Sequence, residues 1–379
     1  MKIGIDARTI CGRKTGDRSY TLGLIGGLAQ VNQALGNPHE FVLYFDDEPP
    51  ADLPCAVGGE LMAGWSVRVV RARFARMWTL SALPRAARAD ALDVLHVQYN
   101  APRLRKPAVV TTVHDITFRL YPDWFTLKDR LVLGWGLRAT LRTAAGTLAV
   151  SECTRRDLEQ VYGLAPERIT VTPNALANGF APPTKEATEE TLARLGVQRP
   201  YALFVGVLQP RKNIERMVRA TIAAREEHGL DLRLVVAGKV GWKAESALET
   251  VLAAEVAGTA QYLGYVDDED LPALYAGAEM LLFPTLYEGF GIPVLEAFAC
   301  GTPVITSNVS ALPEVAGDAA LLVDPRDEAA IASAIANLTR DEDLRTRLIA
   351  RGHERVERFS WTRTARLTLE AYERAVSMT

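Results

Sequence analysis

Short apolar, β-branched runs alternate along the chain with longer amphipathic stretches, the pattern of repeated strand–helix units in a parallel sheet. In the first half the runs predict strands at Lys2–Asp6, Glu40–Phe45, Ser66–Val70, Val94–Val97, Ala108–Val113, Gly146–Val150 and Ile169–Val171. Helical stretches such as Thr154–Tyr162 lie between most of them. Residues 179–190 break the alternation: Pro182, Pro183 and a mixed charged run predict a linker. The pattern then restarts, with strands expected at Tyr201–Val205, Arg233–Ala237, Ala260–Tyr262, Met280–Phe283, Val304–Thr306 and Ala320–Val323. Helices are expected at Asn213–Glu227, Glu245–Ala254, Asp268–Ala276 and Asp327–Leu338, and a last one from about Thr362 to Ala375. No strand follows that last helix, so it must dock on a layer already built. The organisation predicted is an N-terminal α/β domain, 1–178, the linker, a second α/β domain, 191–360, and a closing helical segment, 361–379. Open α/β sheets bind ligands beyond the carboxyl ends of their strands, so two such sheets predict one shared cleft.

A length of 379 residues fits two domains. The longest apolar runs fall far short of the ~20 residues that a bilayer crossing needs. Met1-Lys2-Ile3-Gly4-Ile5-Asp6 reads as an immediate buried strand, with no signal region. Cys11, Cys55, Cys153 and Cys300 show no paired spacing, so neither a zinc site nor a disulfide frame is expected, and a reducing cytoplasm fits. The net charge of −3 hides an asymmetry. Residues 1–175 carry 22 Lys/Arg against 17 Asp/Glu, and the remainder 21 against 29, which suggests different partners for the two halves. Acids are interspersed among the bases, so a nucleic-acid groove is not expected.

The most informative stretch is 280–307. Met280–Phe283 is an apolar strand, Pro284–Gly291 a loop with two glycines, and Pro293 suits the first turn of a short helix that Gly301 and Pro303 end. Amides around Gly289 to Val294 would then point out of a helix N-terminus, a binding place for an anion such as a diphosphate. Glu288 in the loop and Glu296 in the first turn or so flank that place. A carboxylate only accepts hydrogen bonds and suits the vicinal hydroxyls of a sugar or ribose. The plain alternatives are a helix-dipole partner for Glu296, worth about 0.3–1 kcal/mol, and a solvated loop charge for Glu288.

The run Glu288-Gly289-Phe290-Gly291-Ile292-Pro293-Val294-Leu295-Glu296-Ala297, continuing Cys300-Gly301-Thr302-Pro303-Val304-Ile305, resembles the E-x7-E signature of family 4 of the retaining glycosyltransferases. The resemblance covers nearly the whole chain. It implies the GT-B fold: two Rossmann-like, doubly wound domains facing a cleft, with the C-terminal helix packing back on the N-terminal domain. It implies that Glu288 contacts the donor sugar and Glu296 the nucleotide ribose. Gly289, Phe290, Gly291, Ile292, Val294 and Leu295 would complete the donor-binding segment.

Other motifs carry the same resemblance. Val205-Gly206-Val207-Leu208-Gln209-Pro210-Arg211-Lys212-Asn213 is similar to the family's phosphate-binding segment. Gly206 would allow a tight turn, and Arg211 and Lys212 would stabilise the leaving diphosphate. Two solvated helix-start cations are the plain alternative. Thr111-Thr112-Val113-His114-Asp115 resembles the family's His-Asp pair, which implies that His114 is a polar contact or positioning group at the donor sugar and not an obligate general base. Gly264-Tyr265-Val266-Asp267 looks like the base-binding turn. Thr15-Gly16-Asp17-Arg18-Ser19-Tyr20 departs from the family's Gly-rich turn, with one glycine where two are usual. Gly16 could still offer its amide to the diphosphate, with Arg18 offsetting Asp17. No complete dinucleotide or P-loop fingerprint is present.

Trp124 to Arg142 is basic and apolar: either a helix packed on the N-terminal sheet or a surface touching an anionic membrane or lipid-linked acceptor. The expected activity is transfer of a hexose, mannose or glucose, from a GDP-, UDP- or ADP-hexose to a saccharide or lipid-linked acceptor. No metal or essential cofactor is expected, and the place of action is the cytoplasm or the inner face of the plasma membrane. A phosphorylase or nucleotide-sugar epimerase on the same frame, and a non-catalytic sugar-binding module, are the rival readings.

Overall fold

The computed structural model describes every residue except 13–15, 73, 75, 76, 178 and 379. The expected strands all form, with ends shifted by a residue or two. In the N-terminal half they are β1 (Lys2–Asp6), β2 (Glu40–Phe45), a two-residue hairpin β3 (Ala56–Val57) and β4 (Glu60–Leu61), β5 (Trp65–Val69), β6 (Val94–Gln98), β7 (Ala108–Val113), β8 (Gly146–Ala149) and β9 (Ile169–Val171). The second half holds β10 (Tyr201–Val205), β11 (Arg233–Ala237), β12 (Ala260–Gly264), β13 (Met280–Phe283), β14 (Val304–Ser307) and β15 (Ala320–Val323). They build a seven-stranded sheet in the order β5-β2-β1-β6-β7-β8-β9 and a six-stranded sheet in the order β12-β11-β10-β13-β14-β15. Neighbouring strands in both are parallel, with Ile3 opposite Phe41 and Val94 in the first sheet and Leu203 opposite Val235 and Leu281 in the second. Strands covered on both faces need apolar residues at successive positions, which is why these runs were continuous in the sequence. Ile3, Leu43, Leu95, Val110, Leu203, Leu234, Leu281 and Ile305 have no exposed surface.

The chain divides into two compact units: Met1–Pro122 with Thr126–Ala177 and Phe359–Thr379, and Asn178–Arg358 with Asp123–Phe125. The closing helix, Trp361–Ser377, belongs to the first unit. Ser360 caps it by accepting from the Arg363 amide at 3.2 Å. It buries Trp361, Ala365, Leu369, Tyr372 and Ala375, one stripe at helical spacing. That stripe lies on the helix Gly16–Ala34 at two glycines. A Cβ on Gly23 would stand 1.9 Å from the Trp361 ring, and one on Gly27 2.3 Å from the Trp361 carbonyl oxygen. Gly27→Ala is therefore expected to destabilise the protein by about 1–3 kcal/mol, although alanine is the better helix former by about 1 kcal/mol. Urea unfolding measures this, and a stabilised variant would contradict the packing.

Three expectations need correction. The predicted linker contains a helix, Lys185–Arg194, capped by Thr184 and burying only Thr188 and Leu192. That stripe is too narrow to stand out among its charges. A helix at Glu342–Val356 was not anticipated; it rests on Leu348 and Gly352, where a Cβ would lie 2.8 Å from Phe298. The stretch expected as a glycine turn at 15–20 is the start of the helix Gly16–Ala34, because nothing from Gly16 onward interrupts helical spacing. Thr15 and Asn178, at the edges of that motif and of the first predicted domain, lie outside the described residues. The basic stretch forms the helix Leu127–Thr143 in the first unit, with Leu137, Thr140 and Leu141 buried. A Cβ on Gly136 would stand 2.3 Å from the Asn100 side-chain oxygen, so a larger residue there would displace that side chain.

Candidate active site

In the six-stranded sheet the chain runs outward from β10 to one edge and from β13 to the other, so β10 and β13 meet at the topological switch point. The loops after these two strands carry the candidate donor residues. Behind β10, Gly206 has φ 153° and donates its N–H to Ala237 O at 2.9 Å. A Cβ on Gly238 would lie 1.9 Å from Gly206 O, so the two strand ends approach as only glycine permits. Pro210–Lys212 is a single 3₁₀ turn, after which Asn213, at φ 62°, reverses into the helix Ile214–His228. The Asn213 side-chain amide donates to Pro284 O at 2.9 Å and Pro325 O at 2.6 Å. The Leu286 N–H donates to Arg211 O at 2.8 Å. These bonds staple the β10 turn to the β13 loop and so fix Arg211 and Lys212 against Glu288.

The carboxylate of Glu288 accepts from Arg211 Nη1 at 2.6 Å and from Lys212 Nζ at 2.7 Å. Arg211 Nη1 also donates to Tyr287 O at 3.1 Å, and Lys212 Nζ sits 4.9 Å from the centre of the Phe283 ring. Lys212 is 6% exposed and Glu288 7%. Burial pushes the Glu288 carboxyl up, but Arg211 and then Lys212 outweigh it, and its pKa lies below the ordinary value. Glu288 is thus no solvated loop charge. It is the counter-ion that holds two cations rigidly in a dry place, and its own backbone is pinned by an amide donating to Ser310 Oγ at 3.1 Å.

The helix after the β13 loop is Ile292–Ala299, with Gly291 at φ 115° as its N-cap, no side-chain cap, and Pro293 in its first turn. At its opening Pro293 has no N–H to offer and the Val294 N–H is taken up by Gly291 O at 3.0 Å. The Val294 and Leu295 side chains are wholly buried, so their contribution is to the core. Glu296 stands in the second turn, not the first. It is 7% exposed and accepts from Tyr275 OH at 2.7 Å. Burial, then the charge of Glu296, raises the Tyr275 phenol well above its usual range, so it stays a donor to that carboxylate. Tyr265 is half exposed and Val266 buried, just beyond Gly264 at the end of β12.

The first unit holds a separate cluster. Its sheet has a switch point between β1 and β6, and Gln98 ends β6 there. His114 follows β7, with Nε2 2.7 Å from Gln98 Oε1 and 3.7 Å from Asp17 Oδ1. The Tyr20 ring stands edge-on to the imidazole, centroids 4.8 Å apart. Gly16 begins the helix in open space, and Arg18 Nε donates to Ile10 O at 3.1 Å. The tautomer of His114 follows from the bonds around it. Thr21 Oγ1 donates to the carbonyl of Asp17 at 2.8 Å, so its lone pairs must accept from Thr9 Oγ1 at 2.8 Å and from Gln98 Nε2 at 2.7 Å. The Gln98 oxygen then faces His114, and Nε2 carries the imidazole proton. Below it, His96 bridges Tyr372 OH at 2.6 Å and Thr112 Oγ1 at 2.8 Å. Burial, then His114, holds its pKa down to about 3. Gln98→Leu is expected to mix the His114 tautomers and to lower turnover by up to about tenfold, the worth of one neutral hydrogen bond. Nitrogen NMR of the imidazole checks the first part; an unchanged single tautomer would contradict it.

Residues 189–355 match the model of the glycosyl transferases group 1 family, and residues 24–177 that of glycosyltransferase family 4. The O-antigen chain mannosyltransferase B of Escherichia coli is 35% identical over 281 residues, 73% of this chain and 74% of that protein. The chain belongs to the family 4 glycosyltransferases. The O-antigen chain mannosyltransferase RfbU of Salmonella typhimurium is 30% identical over 65% of this chain and 64% of that protein. Among solved structures, sucrose-phosphate synthase from Thermosynechococcus elongatus superposes over 100% of both chains with a TM-score of 0.75 at 21% identity. Anabaena HepE, in complex with UDP and glucose, superposes over 98% and 99% with 0.71 at 16%. The fold of this glycosyltransferase is GT-B, and its activity that of a hexosyltransferase.

Within this glycosyltransferase the sequence pointed to Arg211, Lys212 and Glu288 separately, and the structure brings them together. Three supporting residues were missed. Asn213 closed the phosphate-binding motif but was read only as the start of a helix. Tyr275 sits in a helix where any aromatic reads as core. Gln98 ends an apolar strand, and a buried amide at a strand's carboxyl end was the available signal.

Proposed function

We propose that this glycosyltransferase moves a hexose, mannose, from a nucleotide diphosphate sugar to a hydroxyl of a saccharide or lipid-linked acceptor with retention of anomeric configuration. It does so at the cytoplasmic face of a membrane and without an essential metal. The observation that carries the reading is the cluster of Arg211 with the buried Lys212 and Glu288, beside the N-terminus of the helix Ile292–Ala299 at the switch point. The choice of mannose draws on the names of the relatives. The acceptor oxygen bonds to the anomeric carbon as the bond from that carbon to the diphosphate oxygen breaks, and the acceptor's proton passes to the departing phosphate. Arg211, Lys212 and the amides opening the helix Ile292–Ala299 stabilise the charge that develops on the diphosphate. Glu288 grips the donor sugar and Glu296 the ribose, and the turn at Tyr265 and Val266 meets the base. Gly206 lets the β10 turn approach the phosphates, and Gly16 offers them an amide. His114 positions the sugar.

A ligand that binds only the folded state raises its stability by about 2.7 kcal/mol at a hundredfold excess over Kd. A thermal-shift screen with GDP-, UDP- and ADP-hexoses is expected to find one base that raises the melting temperature in the wild type and not in Lys212→Ala. No shift with any of them would overturn the donor reading.

A further inference from the structure

Between β14 and the short helix Leu312–Ala316 the chain reverses at Ser310, whose φ is 59°. A residue in this left-handed region is ordinarily glycine or asparagine, because a Cβ there crowds the following carbonyl. The turn has no room to relax. On one side β14 is hydrogen-bonded to β13 and β15, and the Asn308 N–H donates to Val323 O at 2.9 Å. On the other side Arg355, from the helix Glu342–Val356, holds the end of the helix Leu312–Ala316. Its Nε donates to Val315 O at 2.9 Å and its Nη2 to Glu314 O. A disfavoured backbone conformation persists where its surroundings over-determine it in this way.

What serine adds over glycine at this point is a hydroxyl. Ser310 Oγ accepts from the Glu288 amide at 3.1 Å, and the Ala311 N–H donates to Glu288 O at 3.3 Å. Both main-chain polar groups of Glu288 are thereby tied to the turn. The contact ends a series along the same loop. Thr306 Oγ1 donates to Phe283 O at 3.0 Å and Ser307 Oγ to Thr285 O at 2.5 Å, both from side chains with no exposed surface. Leu312 lies against the loop's far end, where a Cβ on Gly291 would stand 2.7 Å from its Cδ2. Asn213, at φ 62°, staples the loop from the β10 side with a residue type that tolerates the conformation. On the β14 side a serine takes the equivalent part.

We propose that Ser310 is a positioning residue for hexosyl transfer. Its hydroxyl fixes the main chain of Glu288, and through it the carboxylate that grips the donor sugar, and the backbone strain is retained for that hydroxyl. The inference rests on the donor reading of Glu288 given above. Ser310 itself touches no substrate; it sets where the carboxylate stands when the bond to the diphosphate breaks.

Three variants of the full-length protein test this. Ser310→Ala removes the hydroxyl and keeps the strain, Ser310→Gly removes both, and Ser310→Asn offers an amide oxygen from a residue at ease in the conformation. The kcat and donor KM are measured with GDP-, UDP- and ADP-mannose and a mannose-containing saccharide acceptor, using the donor that the wild type turns over, with melting temperatures beside them. Ser310→Ala and Ser310→Gly are expected to lose kcat equally, by about tenfold, the worth of one neutral hydrogen bond. Donor KM should change little, because Arg211 and Lys212 still hold the diphosphate. Ser310→Gly should melt above Ser310→Ala, since glycine adopts this backbone freely. Ser310→Asn should return most of the lost turnover. A purely structural part would instead make turnover follow stability, with Ser310→Gly the better enzyme of the two. Wild-type kcat in Ser310→Gly, or Ser310→Asn no better than Ser310→Ala, would overturn the proposal. Lys212→Ala run in parallel separates the two failures. If it loses turnover while Ser310→Gly keeps it, the donor site stands and the inference on Ser310 falls; if neither loses turnover, both fall.

Discussion

Lys212→Ala is expected to lower the rate of hexosyl transfer by about 10²–10³-fold, the cost of removing one preorganised charge from a transition state. The argument rests on where this ammonium is held. It is 6% exposed, lies 2.7 Å from Glu288 Oε1, and is backed by the Phe283 ring, so its charge acts in a medium that screens it weakly. A solvated lysine would be worth far less. Lys212→Arg should not restore the rate. A guanidinium is larger and planar, and does not fit where a 6% exposed ammonium is held between Glu288 and the Phe283 ring. Single-turnover rates with saturating donor measure the loss, with melting temperatures run beside them to separate it from unfolding. A rate within threefold of wild type in a folded Lys212→Ala protein would remove Lys212 from the machinery.

Glu288→Gln acts on the same cluster from the other side. The amide keeps the shape of the side chain and removes its charge, leaving Arg211 and Lys212 facing each other without a counter-ion. Breaking a buried ion pair in this way costs about 3–5 kcal/mol, so the variant should melt well below wild type in the absence of donor. Its pH dependence carries a sign that can be checked. The folded pKa of Glu288 lies below the ordinary 4.5, so as the pH falls the unfolded chain takes up this proton first. The stabilisation from the cluster is complete above about 4.5 and is lost as the pH falls through the lower folded value. Glu288→Gln should lack that part of the acid slope. A variant with wild-type stability and an unchanged slope would mean that the ion cluster contributes nothing to the fold.

Much of the fold was legible because both sheets are parallel and buried. Runs such as Met280–Phe283 and Tyr201–Val205 have no polar face, so they stand out from the amphipathic helices around them. The helices Lys185–Arg194 and Glu342–Val356 were hidden for the opposite reason: each buries two residues and leaves the rest to charge. The loop after β13 was legible in its glycines and in Pro293, which serve local backbone needs. The partnership of Glu288 with Arg211 and Lys212 was not. It spans 77 and 76 residues and depends on β10 lying next to β13, a fact of topology that no local pattern states. Tyr275 and Glu296, 21 residues apart, are joined in the same way. At the N-terminal motif the glycine count was read as a defect in a turn. The residues form a helix start, where Asp17 faces His114.

The most direct test of the account is product analysis. The full-length enzyme is incubated with the nucleotide sugar selected by thermal shift and a mannose-containing saccharide acceptor, and products are followed by mass spectrometry and proton NMR. The account predicts an acceptor longer by one hexose, an equal amount of nucleoside diphosphate, and the anomeric configuration of the donor kept in the new linkage. Hexose phosphate formed only when inorganic phosphate is present, or an isomerised nucleotide sugar with the acceptor untouched, would contradict it.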